Sequence, residues 1–246
     1  MTVCNVGDSR VVLGHRVASL AKREEKKKEE KKSEIETRSE EILPIPLTRD
    51  QTPYRKDERE RVRKHGAEVK SIDQMEGREE VHDNWGDIVL GERVDIEGDP
   101  PRVWVQGNDY PGTAFTRSLG DTIAEDIGVM ADPEILTKDL TVNDEFLVIA
   151  SDGIFEFLTN QEVMNICSAS MDPIQACEKL TKASYDQWLT HENRTDDITV
   201  IVCFLTSAYE PTAEAEIETT KALVATANDV YGSKPLRSML KSSSTS

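Results

Sequence analysis

Asp152 ends an apolar run, Phe146 to Ala150, and sits in Ser151-Asp152-Gly153 with Glu156 four residues further on. Asp196 stands in Thr195-Asp196-Asp197, just ahead of a second apolar run, Ile198 to Leu205, and Asp8 stands in Gly7-Asp8-Ser9-Arg10. Each acid alone is what a turn or a helix cap would use. Together they place carboxylates at strand boundaries in three separated segments. Carboxylates gathered at one end of a core repel one another unless a hard divalent cation sits among them. A helical turn after the first run would bring Glu156 onto the face of Asp152. No nucleophilic triad competes: Gly7-Asp8-Ser9 lacks the serine between two glycines of a nucleophile elbow. His15, His65, His82 and His191 are isolated in polar sequence and are expected at the surface.

The elements that must carry these acids follow from the apolar pattern. Unbroken runs such as FLVIA and ITVIVCFL suit strands covered on both faces, and Gly153 lets the backbone turn sharply out of the first. Thr2 to Gly14 is expected as a hairpin about the Gly7-Asp8-Ser9-Arg10 turn. Asp57 to His65 is a charged surface helix that Gly66 can end, and Val103 to Val105 starts a strand before a turn at Tyr110-Pro111-Gly112. Thr159-Asn160-Gln161-Glu162 has capping-box spacing ahead of one helix. Asp172-Pro173 starts another, with Ile174, Cys177, Leu180 and Trp188 as its core stripe.

The chain has 246 residues and a formal charge of −17, unevenly placed. Residues 1–41 hold 10 basic and 9 acidic side chains, 42–206 hold 16 and 33, and 207–246 hold 4 and 5. Such a surface repels nucleic-acid backbones and anionic membranes and attracts divalent cations. Residues 22–41 form a charged, low-complexity insertion; its removal is expected to leave the melting temperature almost unchanged. Residues 71–101 are expected as an acidic surface excursion and 207–246 as a polar tail. Cys4, Cys167, Cys177 and Cys203 form no CxxC pair and are expected as reduced, mostly buried thiols of a cytoplasmic or nuclear protein. Neither a secretory leader nor a membrane-spanning run is visible.

Five segments in order carry a resemblance: Asn5-Val6-Gly7-Asp8-Ser9-Arg10, Leu47-Thr48-Arg49-Asp50-Gln51-Thr52-Pro53, Phe115-Thr116-Arg117-Ser118-Leu119-Gly120-Asp121, Ala150-Ser151-Asp152-Gly153 and Thr195-Asp196-Asp197-Ile198-Thr199-Val200. They resemble successive motifs of the PP2C-type metal-dependent protein serine/threonine phosphatases, nearest to plant and algal members. The resemblance implies an α+β fold, a four-layer α-β-β-α sandwich, over residues 1–206. It implies two Mg²⁺ or Mn²⁺ ions, with a third weaker position, acting on a phosphorylated protein substrate through a metal-activated water. By motif match Asp152 and Asp196 would be ligands of the two-metal site, and Asp8 would support the weaker position with Asp152. Glu156 stands where many members carry Asp. Gly153, Arg117 and Asp121 would support the site rather than perform chemistry. The family's Asp-Gly-His-Gly segment and its phosphate-gripping basic residue have no counterpart here. The resemblance therefore implies a domain incomplete at its N-terminus, with little activity on its own or an interaction role alone.

Overall fold

The computed structural model describes residues 1–19, 39–85, 90–92 and 99–205. The expected N-terminal hairpin does not form. Strand β1 (Thr2–Asn5) pairs with β7 (Glu134–Thr137), whereas β2 (Arg10–Ser19) lies between β3 (Ser39–Pro46) and β8 (Asp144–Ala150) in another sheet. The intervening turn closes no hairpin because its backbone groups are taken elsewhere: the Gly7 N–H donates to Gln51 Oε1 at 2.7 Å, and the Gly7 carbonyl accepts from the Gln51 N–H at 3.0 Å. Strand β9 (Val200–Phe204) completes the antiparallel order β3-β2-β8-β9. The fold is α+β with antiparallel sheets.

Both long apolar runs form strands, but neither is covered on both faces. Phe146, Val148 and Ala150 of β8 are buried, while Ile149 between them is 37% exposed and Ile201 of β9 is 53% exposed. Helices α5 (Asn160–Ser168) and α6 (Pro173–His191) cover one face of the four-stranded sheet, enclosing Val12, Val148, Ile154, Met164 and Leu180. On the other face Val3 and Leu136 of the β1–β7 pair pack on Val11, Leu13 and Ile45. Two strands at about 4.8 Å spacing cannot span four, so the β8–β9 half stays open. Exposed Cys203 lies on that open half, opposite Leu147, and exposed Cys4 pairs with Ile135 on the outer side of β1–β7. The expectation of mostly buried thiols thus fails for these two cysteines.

Helix α5 starts with the expected reciprocal box between Thr159 and Glu162, and α6 starts with Asp172 as cap and proline in its first turn. The buried stripe of α6 is Ala176, Leu180 and Ser184, and Ile174 is 73% exposed. Small side chains at 176 and 184 let the helix approach the sheet closely, and a residue two positions earlier lies about 200° round the helix.

The remaining elements form a smaller unit beside the main sheet. Helix α1 (Lys56–Lys64), β4 (Ala67–Lys70), α2 (Ile72–Met75), β5 (Arg102–Val105), β6 (Pro111–Thr113) and α3 (Thr122–Glu125) enclose Val62, Val69, Val103, Ala124 and Val129. Tyr110-Pro111-Gly112, expected as a turn, runs into β6, which pairs with β5. Helix α1 is not the surface helix expected, since Glu58 and Arg59 are buried along with Val62. The stretch 71–101 is more than a surface excursion: Ser71 and Gln74 cap α2 reciprocally, Trp85 and Gly91 are buried, and Leu90, Asp99 and Pro100 wall a cleft. Of the charged insertion, residues 20–38 lie outside the described residues, as does the tail from 206. Ser39, Glu40 and Glu41 pair with Ser19, Ala18 and Val17, so the deletion must spare them. Among the described residues no helix is long and apolar enough to cross a membrane.

Candidate functional site

The apolar run of β8 ends at Ala150, and Ser151 stands at the N-cap position of the short helix α4 (Asp152–Phe155) without a side-chain cap bond. The Glu156 N–H donates to the Asp152 carbonyl at 2.7 Å, so the expected helical turn is present, and both acids line the same cleft. This turn is fastened to the segment ahead of β9. The Ser151 N–H donates to the Thr199 carbonyl at 3.0 Å, the Thr199 N–H donates to Ser151 Oγ at 3.2 Å, and Ser151 Oγ donates to the Asp197 carbonyl at 3.2 Å. Gly153 makes this approach possible, because a Cβ there would lie 2.3 Å from the Asp197 carbonyl oxygen. The Gly153 carbonyl is held from the other side by Trp188 Nε1–H at 2.8 Å and by the Ser184 hydroxyl. Asp196 is thereby set close enough to Asp152 for their charges to interact.

Asp8 reaches the same cleft from the turn between β1 and β2. Fully buried Gln51 holds that turn: its Nε2 donates to the Asn5 carbonyl at 3.2 Å, and its own carbonyl accepts from the Thr116 N–H at 2.7 Å and hydroxyl at 2.9 Å. One side chain and its backbone thus tie together three of the five motif segments. Arg10, 2% exposed, grips Asp50 through Nε at 2.9 Å and Nη2 at 2.6 Å and donates from Nη1 to Asn160 Oδ1 at 2.9 Å. It also lies over the Phe155 ring at 4.4 Å. Its charge is thus matched by a bidentate carboxylate, as a buried guanidinium requires. Gly91 packs against this group with φ +94; a Cβ there would lie 2.4 Å from Asn160 Nδ2. The segment through residues 90–92 therefore rests on Arg10 and Asn160.

The cleft, about 560 Å³, is lined by Asp8, Asp50, Asp152, Glu156 and Asp196. Burial first, then the charges of Asp152 and Asp50, push the Asp8 carboxyl up to about 7. Burial, followed by Asp196 and then Asp50, also raises Asp152. Burial and the neighbouring acids thus make Asp8 and Asp152 harder to ionise, a repulsion that a cation would relieve. The donors are all oxygen, the kind hard divalent ions take, so the residues fit Mg²⁺ or Mn²⁺ in chemistry. Among the described residues no three of them draw together into a ligand shell.

Arg117 and Asp121 lie apart from these acids. Arg117 Nη2 and Nε reach Glu58 at 2.8 and 3.2 Å, and Nη1 donates to the Asp132 carbonyl at 2.9 Å. Glu58 also accepts from Arg61 at 2.7 Å and from the Thr116 hydroxyl at 2.6 Å, anchoring α1 to the third motif segment. Asp121 starts α3 without a side-chain cap bond.

Sequence reasoning missed Asp50, Arg10 and Gln51 as site-building residues, although all three stand inside recognised motif segments. It also assigned Trp188 to core packing, whereas Trp188 lines the cleft and holds the Gly153 carbonyl. The histidines are not uniformly superficial. His15, 1% exposed, faces Asp144 through Nδ1 at 2.8 Å, because β2 runs on through the polar HRVAS stretch into the sheet. His191 is exposed but lines the cleft, stacked on Phe157 at 5.0 Å.

A family model described as Protein phosphatase 2C matches residues 1–192. The chain is 46% identical over 201 residues to Probable protein phosphatase 2C 35 of Arabidopsis thaliana, covering 81% of this chain and 50% of that protein. It is 30% identical over 205 residues to Probable protein phosphatase 2C 64 of Oryza sativa subsp. japonica, covering 82% and 38%. It thus spans about half the length, or less, of these curated relatives. A serine-threonine phosphatase 2C from Toxoplasma gondii superposes with a TM-score of 0.52 at 15% identity, covering 82% of this chain and 54% of that one, which supports the fold. The family match over most of the chain agrees with the ordered motif segments, four of which the fold gathers around one acidic cleft: the chain belongs to the protein phosphatase 2C family.

Proposed function

We propose that this chain carries the acidic part of the active site of a protein serine/threonine phosphatase that works on phosphoproteins. The observation that supports this most directly is the set of carboxylates lining one cleft, with Asp8 held above its ordinary range by burial and by Asp152, and Asp152 by burial and by Asp196. Asp152 and Asp196 are the residues that would hold two Mg²⁺ or Mn²⁺ ions, with Asp8 supporting a third, weaker position and Glu156 reaching in on a longer arm. When bound, such ions activate a water for attack on phosphorus and neutralise phosphoryl charge. The protein's own contribution is to fix the acids before any ion arrives. Ser151 and Gly153 set the spacing of Asp152 to Asp196, Gln51 sets the turn of Asp8, and Arg10 holds Asp50 in an ion pair at the cleft wall. Arg117 and Asp121 remain supporting residues in this reading.

Four free thiols suit a reducing compartment, the cytoplasm or nucleus. Phosphate release from a phosphothreonine peptide in Mn²⁺ is expected to be little from this chain alone and robust once a segment bearing the family's Asp-Gly-His-Gly motif is joined ahead of it, vanishing in chelator and in Asp152→Asn; no release from the joined protein overturns the reading. The alternative, an inactive interaction module, draws support from the lack of a closed ligand shell among the described residues.

Cation binding has a separate readout in stability. Asp196→Asn is expected to melt at the parent's temperature or higher in chelator, because a repulsive charge has gone. In millimolar Mn²⁺ it is expected to gain less than the parent does, since preferential binding to the folded state is what raises the melting point. Glu156→Gln should follow more weakly. Equal metal-induced shifts in all three proteins would remove these acids from the cation site.

A further inference from the structure

The cleft is acidic overall, yet three arginines line it: Arg10, Arg102 and Arg194. Arg10 is spent on Asp50, Asn160 and the Phe155 ring. Arg102 is partly tied back, donating from Nη1 to the Gly112 carbonyl at 3.2 Å. Arg194 is exposed and, among the described residues, donates to nothing, although Asp196 stands two residues away and Glu192 two residues before it on the same cleft wall. Elsewhere the fold uses its guanidinium groups closely: Arg55, Arg61, Arg63 and Arg117 all meet carboxylates at 2.7–2.8 Å.

We infer that Arg194 is a substrate-positioning residue whose guanidinium takes the phosphoryl oxygens of the phosphorylated side chain. The inference rests on the phosphatase reading of the cleft. Three features of its placement support it. The segment that follows Arg194, ahead of β9, is stapled to Ser151 by Ser151 N–H to the Thr199 carbonyl at 3.0 Å and Ser151 Oγ to the Asp197 carbonyl at 3.2 Å, so the side chain is presented from the same segment as Asp196. On its N-terminal side the chain leaves α6 at His191, whose ring is stacked on Phe157 at 5.0 Å, while Phe157 meets Trp188 edge-on at 4.8 Å. That aromatic group fixes the end of the helix that leads into Arg194, and its three rings line the same cleft. Finally, a phosphoryl dianion entering a cleft of carboxylates needs a donor fork that is not already taken, and a planar guanidinium matches two phosphoryl oxygens at once.

The test uses the whole chain in Mn²⁺ with a fluorescein-labelled phosphothreonine peptide of near-neutral flanking sequence and its unphosphorylated counterpart. Binding is read by anisotropy, and phosphate release is followed in the same samples so that the peptide is known to be intact. The parent is expected to prefer the phosphorylated peptide. Arg194→Ala is expected to bind it about ten-fold more weakly, while its affinity for the unphosphorylated peptide stays put. Arg194→Lys, which keeps the charge but not the fork, should recover part of the loss. Because Arg194 is exposed and has no partner among the described residues, both variants should melt with the parent, so that unfolding is excluded as the cause. A phosphate preference that survives undiminished in Arg194→Ala overturns the inference alone. A parent that binds both peptides alike overturns the phosphatase reading, and the inference with it.

Discussion

Glu58→Gln is expected to cost the folded protein about 3–5 kcal/mol, because it leaves buried cations without their anion. Glu58 is 2% exposed and accepts from Arg117, Arg61 and the Thr116 hydroxyl at once. An amide of the same shape returns one acceptor and points an N–H₂ group at arginine donors. For a domain of this size the loss corresponds to roughly 10 °C in the melting temperature. Glu134→Gln is the control: Glu134 meets Arg55 and Arg117 at the surface, 37% exposed, and should cost less than about 1 kcal/mol. Similar losses for the two variants would show that the network has no buried centre.

The same carboxylate governs acid stability. Despite burial, which acts the other way, the hydrogen bonds from Arg117, Arg61 and Thr116 lower Glu58 to about 2 from an ordinary 4.5. A group whose folded pKa lies below its unfolded value stabilises the fold above the unfolded pKa and stops doing so as pH falls through the folded one. The contribution, about 3 kcal/mol at 1.4 kcal/mol per unit, should therefore be intact at pH 6 and fade between about 4.5 and 2. The Glu58→Gln variant should lack this part of the acid dependence, so its stability curve should approach the parent's as the pH drops. Parallel curves down to pH 2 would contradict the assignment.

Gly153→Ala should cost less than Glu58→Gln, and through space rather than charge. The added Cβ would stand 2.3 Å from the Asp197 carbonyl oxygen and 3.2 Å from Ile198 Cα, both of them backbone atoms. Retreat is blocked, since Trp188 and Ser184 hold the Gly153 carbonyl against α6. The strain is expected to cost about 1–3 kcal/mol and to part the Ser151 turn from the Asp197 segment. Because those two segments carry Asp152 and Asp196, the Mn²⁺-induced rise in melting temperature should shrink along with the stability. Gly77→Ala has a positive φ but nothing within 4 Å, so it should lose some stability and keep the full metal response. An unchanged metal response in Gly153→Ala would mean that the close approach does not set the spacing of the acids.

The sequence alone determined what local pattern can determine. Asp152 after an apolar run, the helical turn to Glu156, the Thr159 box and the Asp172-Pro173 start all depend on residues within four positions of one another, and all are found as expected. The ordered motif segments also carried the family and the α+β fold class. Tertiary structure decided the rest, because it depends on which distant groups meet. The Gly7 turn looked like a hairpin until Gln51, 44 residues away, took its backbone groups. The β8 and β9 runs looked doubly buried because an apolar run records a strand's own composition, not the width of the sheet laid over it. His15 and Glu58 sit in polar sequence yet are buried, since Asp144 and Arg117, 129 and 59 residues away, supply the partners that make burial tolerable. Asp50 and Trp188 became site residues in the same way, one through Arg10 and the other through the carbonyl of Gly153. A charge or an indole N–H is legible in sequence; the group that satisfies it becomes visible only once the chain has folded back upon itself.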